Sequence, residues 1–350
     1  MIELSELRDG GQDPAGIAAK IASFLSPATR SLELALYDVH LDSENAAPIH
    51  AALAEVLARK VRVRLVYNVE FGKEIAVPRP PVLRPELVEA LPVETRGVPG
   101  VPDLMHHKYV VRDGEAVLTG STNWTDDSWA REENLIAIIN SRELAARYRQ
   151  NFEELWQKRN VERSGHVDSA PIDIEGHRVR PWFAPGHGEA LAHRIARRLG
   201  QAKRRIRIAS PVLTSGPILG TLAELTGDHR RSELDIAGVL DATQIAEVIH
   251  QWRGKPQVGW KESALRSLVA HTPWSGKRST PWAPGSVHDY MHAKIVVADD
   301  AVFFGSFNLS RSGERNAENT LEIEDSELAE RLAAFVDDIR GRYPRLELPK

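Results

Sequence analysis

The chain contains no cysteine among its 350 residues. That absence excludes disulfide bonds, a thiol nucleophile and cysteine-ligated zinc, and it suits a reducing compartment. Long apolar runs are missing too; the longest, such as Leu135–Ile139 (LIAII), are strand-sized and cannot span a bilayer. The first residues, MIELSELRDGGQD, are polar and carry no apolar core of a leader. No signal peptide is therefore expected, and the expected location is cytoplasmic. No H-E-x-x-H pattern and no carboxylate cluster with metal spacing occurs, so neither a catalytic metal nor a cofactor is expected.

Net charge is small, at −4, but it is unevenly spread. Arg178 to Lys294 holds 18 Lys and Arg against 9 Asp and Glu, a net of +9, which leaves −13 for the remainder. A basic stretch inside an acidic protein hints at a polyanionic partner.

The dominant feature is a repeated motif. MHHKYVVRDGEAVLTGSTN fits H-x-K-x4-D-x6-G-S-x-N through His106, Lys108, Asp113, Gly120, Ser121 and Asn123. MHAKIVVADDAVFFGSFN repeats it through His292, Lys294, Asp299 (or Asp300), Gly305, Ser306 and Asn308. Six fixed positions match by chance at on the order of 10⁻⁸ of start points. The copies stand 186 residues apart at His and Lys and 185 apart at Ser and Asn, so the second turn is one residue shorter. This is an internal duplication.

Helical patterns of 10–15 residues alternate with β-rich runs in both halves, which predicts an α/β fold. Seven prolines between Gly72 and Leu104 predict an irregular loop there. A long irregular segment is likewise expected before the second motif. The expected organisation is a first half over 1–158, a polar linker over 159–178, and a second half over 179–350.

At these motifs the chain resembles the phospholipase D superfamily, whose hallmark is the paired HKD motif. The resemblance implies two pseudo-symmetric α/β halves, each with a mixed central β-sheet flanked by helices, packed about a pseudo-two-fold axis. It also implies cleavage in two steps through a phosphohistidine. A Glu near each catalytic His orients it in this family, and Glu133 and Glu318 stand 185 apart, each followed by Asn. Relatives commonly carry Asn two residues before that Glu, as Asn316 does here, whereas Arg131 departs from the pattern.

The residues themselves suit this chemistry. His and Lys two apart on a strand share one face, so His106 pairs with Lys108 and His292 with Lys294. Asp113 and Asp299 fall on the other face and are expected to be structural. Ser121 with Asn123, and Ser306 with Asn308, can face the same site. Lysines and asparagines can stabilise the phosphoryl oxygens without a metal, while one imidazole attacks and the other donates a proton. His107, on the opposite face, is expected to be a packed histidine.

Four of the eight tryptophans and six basic residues fall within 252–282, against one acid. Trp260, Trp274, Lys277 and Arg278 are therefore candidate substrate contacts, by stacking and phosphate pairing. A lipid-interface loop would have the same composition. With no membrane anchor expected, and a first motif more like the nuclease-type branch than the large secreted phospholipases, the expected substrate is DNA or RNA. A phospholipase D or transphosphatidylase acting on phospholipid headgroups is the alternative. No obligatory protein partner is evident. Intact H-x-K and G-S-x-N sets in both copies disfavour an inactive scaffold.

Overall fold

Alternating apolar runs build two large sheets in a computed structural model that describes residues 2–69, 91–100, 102–227, 233–283 and 285–349. The first half contains β1 (Ile2–Leu7), α1 (Pro14–Leu25), β2 (Ser31–Leu36), β3 (Val39–His40), α2 (Ser43–Ala58), β4 (Arg62–Val69) and β5 (Glu94–Pro99). It continues through β6 (Lys108–Arg112), β7 (Ala116–Gly120), β8 (Trp124–Thr125), α3 (Asp126–Ala130), β9 (Asn134–Asn140) and α4 (Arg142–Lys158). The second half contains β10 (Ile172–Ile174), β11 (His177–Ala184), α5 (Gly188–Gln201), β12 (Arg205–Ser210), α6 (Gly216–Gly227), β13 (Asp235–Asp241), α7 (Ala242–Trp252) and α8 (Gly259–His271). It ends with β14 (Trp274–Lys277), β15 (Ile295–Ala298), β16 (Ala301–Gly305), α9 (Arg311–Arg315), β17 (Glu318–Glu324) and α10 (Ser326–Arg342).

Strand order is β1-β9-β7-β6-β2-β4-β5 in one sheet and β10-β11-β17-β16-β15-β12-β13-β14 in the other. Apart from the added edge strand β10, the two orders correspond strand for strand. Both sheets are mixed: β2 pairs parallel with β4 but antiparallel with β6, and β12 does the same with β13 and β15. The fold is the two-half α/β arrangement that the motif duplication predicts.

The inner faces of both sheets close on one shared core. Tyr109, Val111 and Val117 of the first sheet join Ile295, Val297, Val302 and Leu321 of the second. Helices α4 and α10 fill the same core with Tyr148, Phe152 and Leu155, and with Leu332, Phe335 and Val336. Each of these helices starts at a side-chain cap, Ser141 on Leu144 N–H at 3.2 Å and Asp325 on Leu328 N–H at 3.0 Å. Such a shared core makes the halves one folding unit and fixes their relative placement.

Two expectations of irregularity are overturned. Part of the proline-rich stretch forms β5; Pro99 is tolerated because it ends an edge strand. Residues 72–90 and 101 of that stretch lie outside the described residues. The segment before the second motif contains α8 and β14, because Leu265, Leu268 and Val269 recur at helical spacing and bury.

Candidate active site

The motif strands carry the candidate catalytic residues to the junction between the halves. His106 N–H donates to the carbonyl of Ala317 at 2.9 Å, and His292 N–H donates to that of Glu133 at 3.2 Å. Each histidine is thus clamped to the segment that leads into β17 or β9 of the opposite half.

The imidazoles are held across the same junction. His106 Nδ1 lies 2.9 Å from the Glu318 carboxylate. His292 Nδ1 lies 3.0 Å from Asn134 Oδ1, with the Glu132 carboxylate 3.3 Å away. Asn134 Nδ2 donates to Glu132 at 3.0 Å, which fixes its oxygen toward His292. Both acceptors require a proton on Nδ1, so in each neutral ring Nε2 keeps its lone pair.

Sequence offset misassigned one of these partners. The motifs align at 185 through Ser and Asn, which equates Glu133 with Glu318. The strands after them align at 184, since β9 starts at Asn134 and β17 at Glu318. A one-residue slip reverses the side chain's face. Glu133 therefore points away from His292 and pairs with Lys277 at 3.0 Å. The true correspondence is Glu132-x-Asn134 with Asn316-x-Glu318, the same two residue types in exchanged order. That inverted pair was the available signal for Glu132.

The serines act one step back. Ser121 Oγ donates to Asn134 Oδ1 at 2.7 Å and accepts from Leu135 N–H at 2.9 Å. Ser306 Oγ accepts from Asn319 N–H at 3.0 Å. The motif asparagines stand differently: Asn123 Oδ1 and Asn308 Oδ1 are both buried without a hydrogen-bond partner. These two amide oxygens stand at equivalent places in the two motifs, and as acceptors they call for hydrogen-bond donors.

Lys108 and Lys294 each donate to the backbone carbonyl of the histidine two residues before them. Burial and the neighbouring cations depress both histidines well below their ordinary range. Burial also brings Lys108 down to about 7 and lowers Lys294 strongly, with Lys108 adding repulsion. Conversely, burial lifts Glu318 to about 7 and raises Glu132. Burial thus disfavours every charge these side chains could carry, and a bound anion would favour the cationic forms. Among the described residues, no group of three or more His, Asp or Glu has the geometry to hold a metal ion.

Tyr37, which the sequence reading missed, packs edge-on against His106 at 4.6 Å between ring centroids. Its ring also lies under the Lys108 ammonium, 4.7 Å from the centroid. His107 is fully buried among Tyr109 and Phe183, with Nδ1 3.2 Å from Asn319 Oδ1, as a packed histidine should be. Asp113 and Asp299 sit in left-handed turns (φ 56° and 51°) and accept backbone N–H groups of Thr29, Arg30 and Ser31, and of Lys203, Arg204 and Arg205.

Two expected substrate contacts are corrected. Trp274 is 1% exposed and packs on Gly238, because β14 is a sheet strand and not a rim loop. Lys277 is buried by its bonds to Glu133 and the Arg131 carbonyl. Trp260 is half exposed beside Gly216, whose neighbour Ser215 donates its N–H to the carbonyl of Leu309, next to Asn308. Arg278 is exposed.

Known proteins resemble this chain. The family described as "Cardiolipin synthase, PLD-like domain" matches residues 21–156 and 195–339. A mitochondrial cardiolipin hydrolase of Xenopus tropicalis is 31% identical over 148 residues, 40% of this chain and 61% of that protein. A phospholipase D of Rickettsia felis is 29% identical over 139 residues, 40% of this chain and 64% of its own length. The chain thus spans about three-fifths of these relatives. A phosphatidylserine synthase structure from Haemophilus influenzae superposes with a TM-score of 0.66 at 16% identity, covering 99% of this chain and 89% of that one. With a match over most of both halves and a pair of histidines held across the junction, the chain belongs to the phospholipase D-like family.

Proposed function

We propose that this phospholipase D-like phosphodiesterase acts on phospholipid headgroups, with His106 as nucleophile and His292 as proton donor. The carboxylate of Glu318 on Nδ1 of His106 carries the assignment of roles, because it makes Nε2 the better electron-pair donor. His292 rests mainly on an amide, which supports a proton more weakly and suits an acid. Nε2 of His106 bonds to phosphorus as the bond to the leaving oxygen breaks, and His292 gives that oxygen its proton. His292 then takes a proton from water, whose oxygen attacks phosphorus and releases His106. The ammonium groups of Lys108 and Lys294 and the amide N–H groups of Asn123 and Asn308 donate to the phosphoryl oxygens throughout.

Nucleic acid was the first expectation from sequence. Lipid is the better-supported reading, because relatives of this chain are named cardiolipin hydrolase and phospholipase D, and because half of the supposed stacking and phosphate rim is buried. The half-exposed Trp260 is of the kind that anchors at a headgroup interface.

One panel tests the reading: vesicles of cardiolipin, phosphatidylglycerol or phosphatidylcholine, beside single-stranded DNA, RNA and plasmid, each with and without EDTA. Headgroup release that survives EDTA and disappears in His106→Ala and His292→Ala is expected. Cleavage of nucleic acid without headgroup release overturns the lipid assignment, and EDTA-sensitive turnover overturns the metal-free one.

A further inference from the structure

One carboxylate in the site has no role in this scheme and no counterpart in the other half. Strands β2 and β6 pair antiparallel with Leu36 opposite Lys108, and Tyr37 N–H extends the ladder to the His107 carbonyl at 2.8 Å. The next residue, Asp38, therefore stands opposite His106, and its side chain shares the face of His106 and Lys108. In the second half, β12 and β15 pair with Arg207 opposite Val297 and Ala209 opposite Ile295. Continuing that register sets Val212 opposite His292. The duplicated site is thus acidic at one lip and aliphatic at the equivalent place on the other.

Asp38 is 5% exposed, and its Oδ1 is buried without a hydrogen-bond partner. Lys108 Nζ donates to the His106 carbonyl and makes no hydrogen bond to this oxygen. Burial lifts the Asp38 carboxyl to about 7, with Lys108 pulling it back. A phosphate has its cations and amides elsewhere in the site, and a carboxylate against phosphoryl oxygens would repel them. An unmatched buried acceptor in this position calls for a donor from the ligand. An ammonium donor would be repelled by Lys108, whereas a neutral hydroxyl would not.

We infer that Asp38 accepts a hydrogen bond from a substrate hydroxyl, so that the site selects phosphodiesters whose alcohol carries a free O–H close to phosphorus. This deepens the proposed function, but it depends only on phosphodiester cleavage and not on a lipid substrate. Sites built to bond a substrate hydroxyl discriminate strongly against analogues that lack it.

The test compares matched pairs by kcat/KM in the full-length protein. One pair is soluble, glyceryl against propyl p-nitrophenyl phosphate. The other is phosphatidylglycerol against phosphatidylpropanol in vesicles. Wild type should prefer the hydroxylated member of at least one pair by about tenfold or more. Asp38→Val, which copies the second half, should bring that ratio close to one, and Asp38→Asn, which keeps a carbonyl acceptor, should leave it between the two. No preference in either pair for wild type, or an unchanged ratio in folded Asp38→Val, overturns the assignment. Turnover of the soluble pair without turnover of vesicles rejects the lipid reading and leaves Asp38 to be decided by the soluble ratio.

Discussion

Glu318 and His106 lie 212 residues apart and in opposite halves, yet the carboxylate meets Nδ1 at 2.9 Å. The reciprocal contact, His292 to Asn134 and Glu132, crosses the junction in the other direction. Neither half can orient its own histidine. The duplication therefore makes a working site only when both halves are packed together, which the shared core between the sheets ensures.

The partnership predicts a pH-dependent effect on stability. Burial raises Glu318 in the folded protein to about 7 from the ordinary 4.5. A carboxyl raised in this way binds more protons folded than unfolded, so its contribution is fully present below pH 4.5 and is lost as pH rises through 7. Glu318→Gln removes that loss. Its melting temperature should match wild type near pH 5 and exceed it at pH 8, by at most about 3 kcal/mol of stability. Turnover should fall by about 10²-fold or more, since His106 loses its carboxylate. Equal shifts in melting temperature at both pH values would count against a buried, charged Glu318.

Asp113 should behave in the opposite way. It accepts three backbone N–H groups and the Thr29 hydroxyl, and these bonds hold its carboxyl below the ordinary range. Its stabilisation is present above pH 3.8 and lost as pH falls through the lowered folded value. Asp113→Ala also puts a Cβ-bearing residue without a polar side chain at φ 56°. A loss of about 2–3 kcal/mol at pH 7 is expected, shrinking near pH 3, with Asp113→Asn intermediate. Urea unfolding at the two pH values measures this. A stably folded Asp113→Ala protein as inactive as His106→Ala would instead make the aspartate catalytic.

Much of this site could be read before any coordinates existed, because strand parity alone assigns His106, Lys108, His292 and Lys294 to shared faces and Asp113 and Asp299 away from them. Parity needs the correct register, however, and an alignment cannot locate a one-residue deletion that lies beyond the last shared motif residue. The offset therefore points to Glu133 where the structure places Glu132. Composition misled differently in 252–282. Tryptophans and cations there suggested a ligand surface, but Trp274 fills a gap over Gly238 and Lys277 neutralises Glu133, contacts set by long-range packing. Asp38 carried no motif at all; its place depends on the pairing of β2 with β6.

Glu133 has its own part through that same lysine. Its side chain is fully buried and meets Lys277 Nζ at 3.0 Å, Asp9 N–H at 3.3 Å and the Tyr343 hydroxyl. Its backbone carbonyl receives His292 N–H, and its two neighbours, Glu132 and Asn134, hold the imidazole. The ion pair thus anchors the segment on which His292 depends, while the equivalent Ala317 behind His106 has no such anchor. Lys277→Met leaves Glu133 buried and unpaired, at a cost of about 3–5 kcal/mol, and Lys277→Met with Glu133→Gln should recover much of it. Under the proposed roles, in which His292 protonates the leaving group, the double variant, measured where it is folded, should lose turnover unevenly. Esters with an alkyl leaving group need that proton, whereas p-nitrophenyl esters do not, so alkyl rates should fall at least about tenfold further. Equal losses on both ester types would mean that the pair supports folding alone and does not position the acid.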